Sequence, residues 1–254
     1  MNLILASASP RRRELLAQAG YSFMVRAAHI PEDPRPDEDP IAYVVRLARE
    51  KAEAVFGQIV RDGASAGAKA PSSISGESAR LKSCPVTKQI GADCANDGIS
   101  VQGGTDCAND GTAVSAADIP GENLHERLIV LGADTTVTLD GQILGKPEDA
   151  ADAARMLRML SGRTHRVITG VALATASGTE VAAEATAVSF LTLSDQEIAE
   201  YVATGEPLDK AGAYAIQGRA AKWIPRVEGC YFNVVGLPLA LVATMLESVR
   251  VPGR

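Results

Sequence analysis

The 254-residue sequence has no long apolar run, no closely spaced cysteine pair and no excess of basic charge. No stretch reaches the ~18 apolar residues of a membrane helix, which argues against a membrane-spanning role. The four cysteines, Cys84, Cys94, Cys107 and Cys230, contain no CxxC pair. A chain this large does not need a disulfide framework, so thiols are expected. Zinc-site spacing is also missing, and His125 is too isolated to complete one. The formal net charge is -6. A nucleic-acid binder needs a basic surface to displace counterions, so that class is disfavoured. A small anionic ligand held by a few local Arg and Lys side chains remains compatible. The short apolar segment Met1–Ala6 precedes Arg11-Arg12-Arg13 rather than following positive charge, the reverse of a secretory signal. A cytoplasmic protein is expected.

Residues 57–126 lack Phe, Tyr and Trp altogether, and hold 10 of the 23 glycines and three of the four cysteines. Such a stretch has little apolar area to offset its ordering entropy. It also repeats itself, with 91–98 (GADCANDG) closely matching 104–111 (GTDCANDG). Two copies are too few for a solenoid. The segment therefore reads as a disordered surface expansion interrupting one domain that spans 1–254. The run from Asp93 resembles the start of a calcium loop, but Ala95 and Gly104 fall where oxygen ligands are required.

The remaining sequence is clearly patterned. Leu3–Ala6 reads as a buried strand, and Ser9-Pro10 as the cap and first residue of a helix closed by Gly20. Tyr21–Ala28 is expected to form a strand. Asp39-Pro40 opens a second helix with Val44, Leu47, Ala48 and Val55 inward. Leu128–Leu131 is a buried strand. Thr135–Leu139 and Gln142–Leu144 flank Asp140-Gly141, a type I′ hairpin signal. Pro147 is read as the start of a helix ending at Gly162. Alternating runs over His165–Thr175 and Glu180–Leu193 meet at Ser177-Gly178. Ser194–Glu197 forms a capping box, with Leu193 and Ile198 as its hydrophobic staple. Helices and strands interleave, giving an α/β class with a mixed sheet.

Four stretches can carry chemistry, and each has a plainer alternative. Ser7-Ala8-Ser9-Pro10-Arg11-Arg12 joins a strand to a helix N-terminus, where free N–H groups, hydroxyls and guanidiniums suit phosphate oxygens. The alternative is an ordinary Ser-Pro cap with solvated arginines. Gly132-Ala133-Asp134-Thr135 follows a buried strand, and its carboxylate could hold a divalent metal or accept a proton from water. Taken alone it reads first as a polar turn at a strand end. Gly145-Lys146-Pro147 taken alone is a solvated lysine. The run Gly205–Gly218 is rich in small residues that let backbone approach a ligand, or it is a tight connecting loop.

Taken together and in order, these blocks resemble the Maf-like nucleoside triphosphate pyrophosphatases. The matching residues are Leu5–Arg12, Leu47–Ala52, Leu131–Thr135, Gly145–Pro147, Thr204–Gly218 and Val234–Leu239. The resemblance implies an α/β fold with a mixed, strongly twisted sheet flanked by helices around a central nucleotide cleft, as in the inosine-triphosphatase-like proteins. It implies hydrolysis of a nucleoside triphosphate to the monophosphate and pyrophosphate with a divalent cation, Mg or Mn. The family's catalytic acid falls on Asp134, as metal ligand or general base. Its metal positions fall on Asp134 and Glu32, with Asp33 able to take the latter's place. Substrate-binding positions fall on Ser7, Ser9, Arg11, Arg12, Lys51, Thr135, Lys146 and Gln217. The Asp209–Gly218 block is similar to the branch acting on dTTP and UTP, where Arg11, Thr135 and Gln217 are linked to base choice. A homodimer is usual for the family; a nucleic-acid or membrane partner is not expected. Two alternatives stay open: a nucleotide-sensing protein of the same fold acting in cell-division control, and a different specificity such as 7-methyl-GTP.

Overall fold

Buried Leu3, Ile4 and Leu5 form β1 (Asn2–Leu5) in the computed structural model, which describes residues 2–67 and 127–250. Helices cover both faces of this strand, so its sequence is continuously apolar rather than alternating. Helix α1 (Pro10–Gln18) starts at Pro10, but the Ser9 hydroxyl at the N-cap makes no capping bond. The strand expected over Tyr21–Ala28 shrinks to β2 (Met24–Val25). Only Ile4 and Leu5 of β1 are left to pair with it, and Tyr21 and Phe23 pack instead against the apolar cluster beneath α1.

Asp39 accepts from the Ile41 and Ala42 amides and so starts α2 (Pro40–Gly67). This helix continues through residues 57–67, which corrects the expected start of the insertion. Ile59 packs on the core below α2, and Asp62 pairs with Arg26 at 2.7 Å, so this part has the anchors that its lack of aromatics hid. The internal repeat, His125 and three of the cysteines lie outside the described residues.

A second correction concerns Gly132–Asp134. No strand ends there; β3 (Leu128–Leu139) runs unbroken through it. The glycine serves a close approach, not a turn. A Cβ on Gly132 would lie 2.1 Å from the Ala48 carbonyl oxygen of α2. Asp140 and Gly141, both at positive φ, turn the chain into β4 (Gln142–Leu144), as expected of a type I′ hairpin. Helix α3 (Ala150–Leu160) begins later than Pro147, because the Asp149 side chain caps it by accepting from the Asp152 amide. β5 (Thr164–Thr175) and β6 (Gly178–Ser189) pair along their full length. β6 stops short of Leu193, since the Leu191 amide turns away to the Trp223 carbonyl. The capping box of α4 (Asp195–Val202) forms as expected. Three short 3-10 turns follow, at Glu206–Asp209, Ala211–Ala213 and Arg219–Trp223. The described chain ends with β7 (Arg226–Glu228), α5 (Tyr231–Val235) and α6 (Leu239–Arg250).

Among the described residues, seven strands form one mixed sheet in the order β2-β1-β3-β5-β6-β7, with β4 antiparallel to the end of β3. The class is α/β. Side chains alternate across β3. Val130, Gly132 and Asp134 face α2, where Ala48, Ala52 and Val55 are fully buried. Leu131, Ala133 and Thr135 face the opposite layer, built from α1, α5 and α6. Each fully buried Val or Leu contributes roughly 1.5–3 kcal/mol to holding these layers on the sheet.

Candidate active site

A polar cleft of about 800 Å³ opens where the loop after β1, the first turn of α1, the middle of β3 and the turn around Lys210 converge. That is a suitable size for a small-molecule site. Ser7, Ser9, Arg11, Arg12, Glu32, Lys51, Asp134, Thr135 and Lys146 all line it. Gln217 does not; its side chain is exposed one residue beyond Ile216, which does line the cleft.

Lys51 is the centre of the charged group. Its Nζ lies 2.6 Å from Asp134 Oδ1 and 2.6 Å from Glu32 Oε1. Lys51 and Asp134 are both buried. This contact depends on how closely α2 lies on the sheet. Gly132 of β3 and Gly170 of β5 leave the room: a Cβ on Gly170 would sit 2.3 Å from the Val44 carbonyl oxygen. The register sets Asp134 directly opposite Gly170. Glycines on neighbouring strands therefore bring a buried helical lysine onto a mid-strand aspartate. Burial alone would push the Glu32 carboxyl up. The hydrogen bond from Lys51 and the charges of Lys51, Lys146 and Arg12 instead hold it below the usual carboxylate range.

Arg12 is engaged by the protein itself. Its Nε donates to the Gly236 carbonyl at 2.8 Å, and Nη1 donates to Ala133 O at 2.9 Å and Ser7 Oγ at 3.2 Å. Nη2 donates to Thr135 Oγ1 at 2.9 Å, and Thr135 in turn lies 2.9 Å from Thr169 Oγ1. The guanidinium thus ties α1, β3 and the Gly236 turn together beneath the cleft. Burial lowers the Arg12 pKa, while the Asp134 and Glu32 charges oppose the shift. By contrast, among the described residues neither Arg11 nor Lys146 makes a side-chain hydrogen bond. Ser9, Pro10 and Arg11 bring the open N-terminus of α1 to the cleft, with the Ser9 hydroxyl unused by the cap.

Among the polar lining residues Tyr43 lies outside every motif of the sequence, while Asp209 and Lys210 fall inside the Gly205–Gly218 run without being singled out. Tyr43 stands two four-residue steps before Lys51 on α2, and that spacing could have revealed it. Its hydroxyl donates to the Glu32 carbonyl at 2.8 Å and fixes the loop bearing that acid. Burial, with the Asp134 and Glu32 charges, pushes its phenol up to about 12, so it stays a donor. Of the two adjacent acids, Glu32 is the one that meets Lys51. Asp33 offers its backbone carbonyl to Arg46 at 3.2 Å.

The family described as Maf-like protein matches residues 2–249. A dTTP/UTP pyrophosphatase of Koribacter versatilis is 41% identical over 251 residues, covering 99% of this chain and 96% of that protein. One from Salmonella typhimurium is 42% identical over 245 residues, covering 96% of this chain and 91% of its own length. One from Anaeromyxobacter dehalogenans is 41% identical over 254 residues, covering 98% and 95%. With the family pattern spanning the described sheet and every element of the cleft, the chain belongs to the Maf-like family.

Proposed function

We propose that this protein hydrolyses nucleoside triphosphates, dTTP and UTP foremost, to the monophosphate and pyrophosphate. One observation carries the reading: Asp134, Lys51 and Glu32 converge at 2.6 Å contacts inside a cleft bordered by a helix N-terminus and by Arg11 and Lys146. The names of the relatives support the substrate class. The triphosphate chain lies along the α1 N-terminus, where backbone N–H groups, Ser7, Ser9, Arg11 and Lys146 offset its charge. Water attacks the α-phosphorus, the bond to the bridging oxygen breaks, and pyrophosphate leaves. Positioning and charge stabilisation do most of the work, since no covalent intermediate is needed. Asp134 accepts the water's proton or holds the metal.

The residues present fit a divalent cation. Among the described residues no group of three or more His, Cys, Asp or Glu converges, but Glu32 and Asp134 both point at one cationic position. Two hard carboxylate oxygens suit Mg or Mn, which keep several waters and take further oxygens from phosphates. When bound, the metal supplies charge neutralisation on the phosphate oxygens and a more acidic water.

The decisive experiment is pyrophosphate release over a nucleotide panel, run beside Asp134→Asn. Turnover led by dTTP and UTP, lost in a folded Asn variant, supports the reading. A wild-type protein that binds nucleotides without turnover would instead favour the nucleotide-sensing alternative, and a profile led by 7-methyl-GTP would move the specificity.

A further inference from the structure

One wall of the cleft is a turn with no regular structure of its own. Tyr214, Ala215 and Ile216 line the cleft from it, and Gln217 stands at its rim. Arg11, on the first turn of α1, is near enough for its charge to act on both Asp209 and Tyr201. The turn is held at both ends by one pair of side chains. The Tyr201 hydroxyl on α4 accepts from the Ala215 amide at 3.3 Å and donates to Glu206 Oε1 at 2.9 Å. The same Glu206 oxygen accepts from the Arg219 amide at 3.1 Å. Gly218 makes room for this carboxylate: a Cβ there would fall 1.7 Å from Glu206 Oε1. Tyr201 is buried and its ring stacks edge-on against Trp223 at 5.1 Å, so the clasp is anchored in the core behind the cleft. A third hold comes from His165 Nε2, 2.7 Å from the Tyr214 hydroxyl.

We propose that Tyr201 and Glu206 are positioning residues for nucleobase selection, fixing the Ala215–Gly218 turn from behind without touching the substrate. The inference rests on the functional reading above. The phosphate end of the cleft is built from β1, α1, α2 and β3, and among the described residues no side-chain hydrogen bond joins the clasp to them. The turn it holds supplies a separate wall from other elements of the chain, where backbone and side-chain groups can meet a pyrimidine edge. Releasing the turn therefore degrades discrimination between bases while leaving the phosphate machinery in place. General destabilisation would instead lower all rates together.

The test compares kcat/KM for UTP with that for CTP and for ATP in wild type, Tyr201→Phe, Glu206→Ala and Glu206→Gln. Tyr201→Phe removes one oxygen and keeps the ring on Trp223; Glu206→Gln keeps an acceptor for both donors. The expected result is a preference ratio about tenfold smaller in Tyr201→Phe and Glu206→Ala, and within about twofold of wild type in Glu206→Gln. Amide exchange at Ala215 and Arg219 should accelerate in the first two variants. If Glu206→Ala does not fold, Tyr201→Phe alone decides. A wild-type preference for UTP that survives intact in Tyr201→Phe overturns the clasp's role. A wild-type protein with no pyrimidine preference refutes the functional reading itself, a distinguishable result.

Discussion

Gly132→Ala is the substitution that most directly couples packing to chemistry. The new Cβ would sit 2.1 Å from Ala48 O and 2.9 Å from the Ala52 amide nitrogen, both backbone atoms that no rotamer change can move. Restoring even a tight 3.0 Å contact requires α2 to lift by about 0.9 Å at the turn that carries Lys51. The 2.6 Å contact from Lys51 to Asp134 then opens to about 3.5 Å, the edge of hydrogen-bond range. Overpacking of this kind costs about 1–3 kcal/mol. For a domain of this size that lowers Tm by about 2–4 °C per kcal/mol. Misplacing a reacting group by about 1 Å costs up to ~10²-fold in rate. Thermal melting and steady-state pyrophosphate release should show a moderate fall in Tm beside a far larger fall in kcat. Gly57→Ala in the same helix is the control. Its Cβ would meet nothing nearer than Arg61 Nη1 at 3.5 Å, so it should stabilise α2 by roughly 0.5–1 kcal/mol and leave turnover unchanged. Near-normal kcat in a destabilised Gly132→Ala protein would show that the closeness of α2 to β3 does not set the site.

Burial lowers the His165 pKa to about 4 against 6.5 for the free side chain. The unfolded chain therefore takes up that proton first, and stability falls with pH by about 2 kcal/mol from about pH 7.5 to about pH 5; denaturant melts of wild type and His165→Gln should show this slope in the former and a flatter one in the latter. Lys146→Ala should lower activity on every triphosphate alike, because phosphates are common to all; a change in base preference, read from the nucleotide panel, would place Lys146 at the wrong end of the substrate. Replacing residues 68–126 with a short Gly/Ser linker should preserve kcat/KM, since every proposed site residue lies in 2–67 or 127–250, and a large loss would make that segment part of the enzyme.

Much of this architecture was legible in local chemistry. The buried run of β1, the Asp140-Gly141 turn and the Ser194–Glu197 capping box each declare themselves through a few adjacent residues. Most of the polar residues that line the cleft fall in the ordered blocks that carry the family resemblance, but Glu32 and Tyr43 fall outside them, and Gln217, inside one, does not line the cleft. What was hidden depends on contacts distant in sequence. Gly132 reads locally as a turn, because nothing nearby reveals that α2 will press against it. Nothing near Arg12 reveals that Ala133, Thr135 and Gly236, all more than a hundred residues away, hold its guanidinium. Residues 57–67 read as part of the expansion by composition, yet they are helical because Ile59 and Asp62 find partners across the fold.

The charge arrangement bears on how substrate enters. Lys51 is shared between two carboxylates, so the trio carries one more negative charge than positive. Arg12 lies in the same cleft and keeps its charge, since its acceptors are all neutral oxygens, but its N–H groups are held by the protein scaffold. An incoming triphosphate therefore meets two carboxylates beside Lys51, with Arg11, Lys146 and Lys210 the lining cations outside both arrangements. Like charges in a partly buried cleft repel strongly, because water screens them poorly there. A divalent cation entering with the nucleotide would add positive charge there and give Glu32 and Asp134 a shared partner. Metal and nucleotide binding should therefore be coupled and, by linkage, reciprocal. Calorimetry with a non-hydrolysable UTP analogue should show affinity rising at least about tenfold on adding Mn2+, and Mn2+ affinity rising by the same factor with the analogue present. Glu32→Gln removes one negative charge from the trio. It should strengthen nucleotide binding without metal while weakening the coupling. An unchanged metal-free affinity in that variant would show that the carboxylate charge is not what opposes the nucleotide.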